Sequence, residues 1–240
     1  MMEKIIILSA GLLPSFIWLL FYLRKDSHPE SNKMVLKVFF LGALSGVAAI
    51  LLEKMFQRGY SSLAHSLASL TLPIFLAGGL IEESIKLAAV KIGLWKTQEA
   101  DEPVDWMLFM IISALGFAAL ENVLVLTSYH EVITSFKALE VMVWRFLSAT
   151  FLHALCSGAL GYFWALSFSK NRKIYFWVSF VAIASLHAFY NWSIMNVTGL
   201  NKFLLPLAIL IGLSLSVSFG IKHLKRLKSI CFLRENKPKA

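Results

Sequence analysis

Residues 106–127 read WMLFMIISALGFAALENVLVLT, a run whose one ionisable side chain is Glu121. About 20 apolar residues carry a helix across a hydrocarbon core of about 30 Å. In lipid such a run is helical, because every backbone N–H and C=O has to be satisfied within the segment. Working outward, runs of the same kind occupy roughly 5–23, 36–56 and 66–91 before it and 141–169, 174–195 and 203–221 after it. The whole chain of 240 residues is 58% hydrophobic and 15% charged, with a mean hydropathy of +0.71. Soluble domains hold about 45–50% apolar and about 25% charged residues. Disorder, a coiled coil and a disulfide-stapled module are excluded. The expected fold is an all-α, polytopic transmembrane helix bundle of about seven helices with short connections.

The net charge of +9 comes from 23 basic and 14 acidic residues. Assigning alternate connections to the two sides of the membrane puts sixteen basic residues on one side and five on the other. The positive-inside rule then predicts the N-terminus out and the C-terminus in. Ile5 to Leu23 is longer than the apolar core of a signal peptide and is followed by Arg24-Lys25, so it is expected to stay as the first helix. The last twenty residues hold seven basic residues and one acid, Glu235, which suits a cytoplasmic tail near anionic lipid and not a nucleic-acid footprint. Cys156 falls in a helix and Cys231 in the tail, so the two are not expected to pair. His28, His65, His130 and His223 fall in loops, flanks or the tail, and Glu53-Lys54 reads as interfacial.

The informative residues are the ionisable ones inside the spans: Glu82, Glu83, Lys86, Glu121, Arg145, His153 and His187. A charge near the bilayer centre costs about 2.5–3.5 kcal/mol on insertion scales, so such groups pair with one another or face a wet cavity. Three carboxylates against two cations leave one negative charge over, a group suited to general-base work. Helical spacing sharpens this. Lys86 is i+4 from Glu82 and i+3 from Glu83, so it can bridge to either. His187 and Asn191 share one helix face, whereas Glu121 and Asn122 diverge by about 100°. Counting residues from the helix ends brings Glu82, His153 and His187 to one level. Pro73 and Gly78-Gly79 are expected to bend or break the third helix just before the carboxylates.

Four motifs lie in order along four of these helices. Glu82-Glu83-Ser84-Ile85-Lys86 resembles the EExxK motif of the PrsW-type membrane proteases. Phe117 to Glu121-Asn122 resembles their FxxxEN, with Ala118 where a glycine often stands. His153 followed by Gly158 resembles their histidine–glycine motif, and His187 to Asn191 resembles HxxxN. The group is similar to the CAAX prenyl proteases, the bacteriocin-processing proteases and the scaffold subunit of γ-secretase. The resemblance implies an enzyme, an intramembrane endopeptidase in a bacterial cell membrane. It would cut a membrane-anchored protein substrate, such as an anti-sigma factor, in a site-1-type cleavage. It assigns Glu82 as the base, Glu83 as its support, His153 to the water or the carbonyl, and His187 with Asn191 to the oxyanion. Lys86, Glu121 and Asn122 would shape the site.

On this reading residues 1–65 hold the first two helices, 66–195 a catalytic four-helix core, and 196–240 the last helix and basic tail. Two chemistries stay open. Glutamate-activated water requires no cofactor, while zinc is compatible with the ligand types although no HExxH is present. A proton- or ion-coupled transporter is the alternative from another class, since buried carboxylates and histidines also build proton relays. The absence of an internal repeat and the odd helix count weigh against it. A membrane scaffold is the third reading; it would gain if a key glutamate or histidine were missing, and none is.

Overall fold

The structure is a computed structural model that describes residues 2–62, 67–128 and 135–227. His65, His130, Cys231 and the basic residues beyond Leu227 lie outside the described residues. Among the described residues there are eight helical segments and no strand. They are α1 (Met2–Leu23), α2 (Asn32–Ser61), α3 (Leu67–Gly93), α4 (Pro103–Thr127), α5 (Ser135–Leu147), α6 (Ala149–Ser169), α7 (Ile174–Asn196) and α8 (Asn201–Leu224). Five stretches are long and apolar enough to cross a membrane: α2, α4, the α5–α6 pair, α7 and α8. The protein is a multi-pass integral membrane protein. α3 is not among the five, and it carries Glu82, Glu83, Lys86 and Lys91.

The opening stretch of sequence forms the axis of the bundle. α4 is apolar all round and buried along most of its length, because α1, α2, α3, α6 and α8 surround it. Close approach to α2 depends on small residues: a Cβ on Gly42 would stand 2.1 Å from the Ser113 carbonyl oxygen. Small residues at helix interfaces are how membrane helices gain contact where the hydrophobic effect offers none. The outer faces carry Phe40, Leu44, Met55, Trp177 and Leu215 exposed, as lipid contact requires.

The run at 141–169 is not one helix. Ser148 leaves the helical region (φ −121°, ψ −92°) and divides it into α5 and α6. The break disturbs the ladder at the end of α5, and the Trp18 indole N–H of α1 donates to the Phe146 carbonyl at 2.9 Å. Helix 3 behaves in the opposite way. It runs unbroken from Leu67 to Gly93 through Pro73 and Gly78-Gly79.

Several contacts fix which connections share an end. Glu99 accepts from the Ser31 backbone and hydroxyl, Lys37 donates to the Gly93 carbonyl, and Lys225 donates to Ser27. The α1–α2 and α3–α4 connections and the end of α8 therefore lie together. Glu53, twenty-two residues beyond the Ser31 cap, sits roughly 30 Å along α2 toward the opposite end.

Candidate active site

The site begins on α3, where one turn carries Glu82, Glu83 and Lys86. Lys86 is fully buried, and its ammonium has three N–H groups and no acceptor. It finds three acceptors: Glu82 Oε2 at 3.0 Å, Glu83 Oε1 at 2.9 Å and His153 Nδ1 at 2.9 Å. The face of Phe117 lies beneath it, 4.3 Å from ring centre to nitrogen, adding a cation–π contact. The Ser113 hydroxyl donates to the Lys86 carbonyl and ties this turn to α4.

That arrangement assigns the protons of both histidines. An ammonium only donates, so His153 Nδ1 accepts, and His153 Nε2–H donates to Glu121 Oε2 at 2.8 Å. Both ring nitrogens of His153 are engaged. Glu83 is wholly enclosed: its Oε1 also accepts from His187 Nδ1–H at 2.9 Å, and its Oε2 accepts from the Ser157 hydroxyl at 2.7 Å. With the His187 proton on Nδ1, Nε2 carries a lone pair. It is buried, has no hydrogen-bond partner, and stands 3.7 Å from Glu82 Oε2.

The approach of α7 to α3 makes this contact. A Cβ on Gly79 would stand 2.4 Å from the Ala184 carbonyl oxygen, so only glycine lets the helices come this close. Glu83 follows Gly79 by four residues and His187 follows Ala184 by three. Glu83 is thus one turn from Gly79, and His187 lies between Ala184 and Ala188, both of which meet that Cβ.

The outer half of the network runs through α4 and α5. Arg145 donates to Glu121 Oε2 at 2.8 Å through Nη2 and to Asn122 Oδ1 through Nε, and the Asn122 amide donates to Thr150 at 3.1 Å. Arg145 is therefore the ion-pair partner of Glu121. Adjacent Glu121 and Asn122, although divergent on the helix, both reach it.

All eight residues singled out in the sequence fall in one region. Glu82, Glu83, Lys86, His153, His187 and Glu121 are connected by direct contacts, and Asn122 joins them through Arg145. Asn191 joins Glu82 in lining a cavity of about 190 Å³ between α2, α3 and α7. Sequence reasoning missed two members. Ser157 is i+4 from His153, a spacing that points it to the same side of α6. Glu53 lines the cavity beside Glu82, which adds a fourth carboxylate to the three singled out.

A multi-pass bundle with carboxylates and imidazoles converging on a small cavity is the class of a membrane-embedded enzyme, and comparison with known proteins agrees. The family described as PrsW family intramembrane metalloprotease matches residues 30–217, and the chain belongs to that family. Protease PrsW of Geobacillus kaustophilus is 31% identical over 192 residues, covering 79% of this chain and 80% of the relative. Protease PrsW of Bacillus subtilis is 26% identical over 228 residues, covering 93% and 96%. That of Clostridioides difficile is 24% identical over 241 residues, covering 95% and 97%. No solved structure matches the chain. The protein is thus a membrane peptidase of bacteria.

The family description implies a metal, and the donor set can be tested against it. Glu82, His153 and His187 are ligand types that zinc takes, and their donor atoms lie within 4.8 Å of one another. Lys86 is the obstacle. Glu82 Oε2 and His153 Nδ1 are 3.6 Å apart, and each is within 3.0 Å of the ammonium nitrogen. Any point at zinc bonding distance from both lies within about 3.5 Å of that nitrogen. The single lone pair of His153 Nδ1 is already used by Lys86. As held here, the residues do not fit zinc.

Proposed function

We infer that this membrane peptidase hydrolyses a peptide bond with a water molecule activated by Glu82. The observation that carries the reading is that Glu82, which lines the cavity, has its Oε2 3.7 Å from the buried, unpartnered His187 Nε2. A water molecule has two protons to donate, and two buried acceptors at this separation are what it bridges. Held in this way, the water presents an oxygen lone pair to a carbonyl entering the cavity.

Glu82 takes a proton as the water oxygen bonds to the carbonyl carbon. The resulting oxyanion is met by the Asn191 amide, which lines the same cavity. Collapse breaks the C–N bond, and Glu82 returns the proton to the departing amine. Glu83 is the positioning residue. It orients His187 through Nδ1–H and shares Lys86 with Glu82. Exposure supports this division: the Glu82 side chain is 12% exposed and that of Glu83 0%. His153 and Glu121 hold Lys86 in place from the other side.

The substrate class is a membrane-anchored protein. With the N-terminus outside and the C-terminus in the cytoplasm, the cavity lies in the extracytoplasmic half, since Glu53 is remote from the end shared by the α1–α2 connection and α8. Site-1-type cleavage of a single-span anti-sigma factor fits that placement. The test is co-reconstitution of the purified protein with a tagged anti-sigma factor from the same cell. Cleavage by the wild type that disappears in Glu82→Gln supports the reading, and equal cleavage by both ends it.

A further inference from the structure

Glu53 has no place in the reaction just described, yet it lines the same cavity as Glu82. The cavity wall offers two carboxylates, Glu53 and Glu82, two side-chain amides, Gln57 and Asn191, and no lysine or arginine. The two carboxylates differ in their surroundings. Glu82 has the Lys86 ammonium at 3.0 Å, while no ion pair joins Glu53 to any cation among the described residues. Lys54 follows it directly and so diverges by about 100° on α2. Gly78 of α3 lies beside Glu53: a Cβ there would make an ordinary contact with Glu53 Oε1 at 3.8 Å. An unpaired carboxylate at membrane depth is costly to insert and marks a functional position.

We propose that Glu53 and Gln57 of α2 form a specificity subsite that takes a basic side chain, lysine or arginine, of the substrate beside the scissile bond. Resting on Glu82 as the base, the subsite selects which peptide bond is presented to it. The dimensions suit one residue: about 190 Å³ is below the roughly 300–1,000 Å³ of pockets that enclose drug-sized ligands. Charge supplies the selectivity. A cationic side chain entering here meets the unpaired Glu53 carboxylate, and the Gln57 oxygen, one turn on, is placed to accept a further N–H. An acidic side chain at the same position meets two carboxylates and is rejected by like charge.

The experiment uses the full-length protein in liposomes, as wild type, Glu53→Gln, Glu53→Lys and Glu82→Gln. Single-span test substrates carry lysine, glutamine or glutamate at each position within four residues of the cleaved bond, and products are identified by mass spectrometry. At one position the wild type is expected to cut the lysine substrate about 10- to 100-fold faster than the glutamate substrate. Glu53→Gln should abolish that preference while still cutting the glutamine substrate, and Glu53→Lys should invert it. Inversion is a gain that misfolding cannot imitate, and the near-isosteric glutamine variant carries the test should the lysine variant not fold. An unchanged preference in Glu53→Gln, with activity still lost in Glu82→Gln, overturns the subsite alone. Wild-type cleavage equal to that of Glu82→Gln overturns the subsite together with the reading of Glu82.

Discussion

Lys86 Nζ stands 2.9 Å from His153 Nδ1 and so uses the lone pair that a metal ligand would have to offer. The same nitrogen pairs with both Glu82 and Glu83, which makes it their shared counter-ion. Metal independence follows. Purified protein is expected to hold no stoichiometric zinc by elemental analysis, and cleavage should survive 1,10-phenanthroline. Activity lost to chelation and restored by zinc would show that Lys86 leaves His153 during turnover.

Glu82 and Glu83 are adjacent but should fail in different ways. Glu82→Gln removes the base and is expected to lower kcat by about 10²- to 10⁴-fold with little change in thermal unfolding. Glu83→Gln takes the carboxylate charge from a wholly buried ion pair, which costs on the order of 3–5 kcal/mol. Its main effect should be a lowered Tm in detergent. A stable but inactive Glu83→Gln beside an unstable Glu82→Gln would reverse the assignment.

Gly79 and Gly78 offer a matched pair of substitutions. A methyl on Gly79 meets the Ala184 carbonyl oxygen at 2.4 Å, whereas one on Gly78 makes an ordinary contact with Glu53 at 3.8 Å. Gly79→Ala is expected to cost about 1–3 kcal/mol and to move α7 away from α3, separating His187 from Glu83. Activity should fall with the protein still folded by circular dichroism. Gly78→Ala should unfold at the wild-type temperature.

The end of the bundle shared by the α1–α2 and α3–α4 connections carries its own titration. Burial pushes the Glu30 carboxyl up to about 9, helped by its hydrogen bond to Glu99 and by the charges of Asp105, Glu99 and Asp101. Donation from Glu30 holds Glu99 below its usual value. The folded state therefore keeps a proton on Glu30 that the unfolded chain gives up near the ordinary 4.5. By linkage the stability from this proton is full below that value, falls as pH rises, and is lost past about 9. Tm measured from pH 5 to 10 should decline less in Glu30→Gln than in wild type. Parallel curves would show that the pair does not titrate as described.

The pairing of Lys86 with Glu82 and Glu83 was legible in the sequence because helical spacing is local. Glu82, Glu83 and Lys86 share one turn, so their pairing follows from a single helix. Ser148 was missed as a helix break because an apolar run reads the same whether or not one residue leaves the helical region. Glu53 was missed for a related reason. Beside Lys54 near the end of an apolar run it has the pattern of an interfacial pair, and only α3 lying against α2 brings it to Glu82.

The sequence by itself determined a polytopic helical bundle, because the length and hydrophobicity of a run are enough to commit it to a membrane. It also singled out the ionisable residues within the spans, because a charge in that environment is costly unless it is paired. Tertiary structure alone decided which lone pair is left free. Lys86 has three donors to place: its own helix brings two of them to Glu82 and Glu83, and only the tertiary packing gives the third to His153. His187 Nε2 is left without a partner, since hydrogen bonds between helices depend on how closely the helices approach, and no spacing along one helix encodes that.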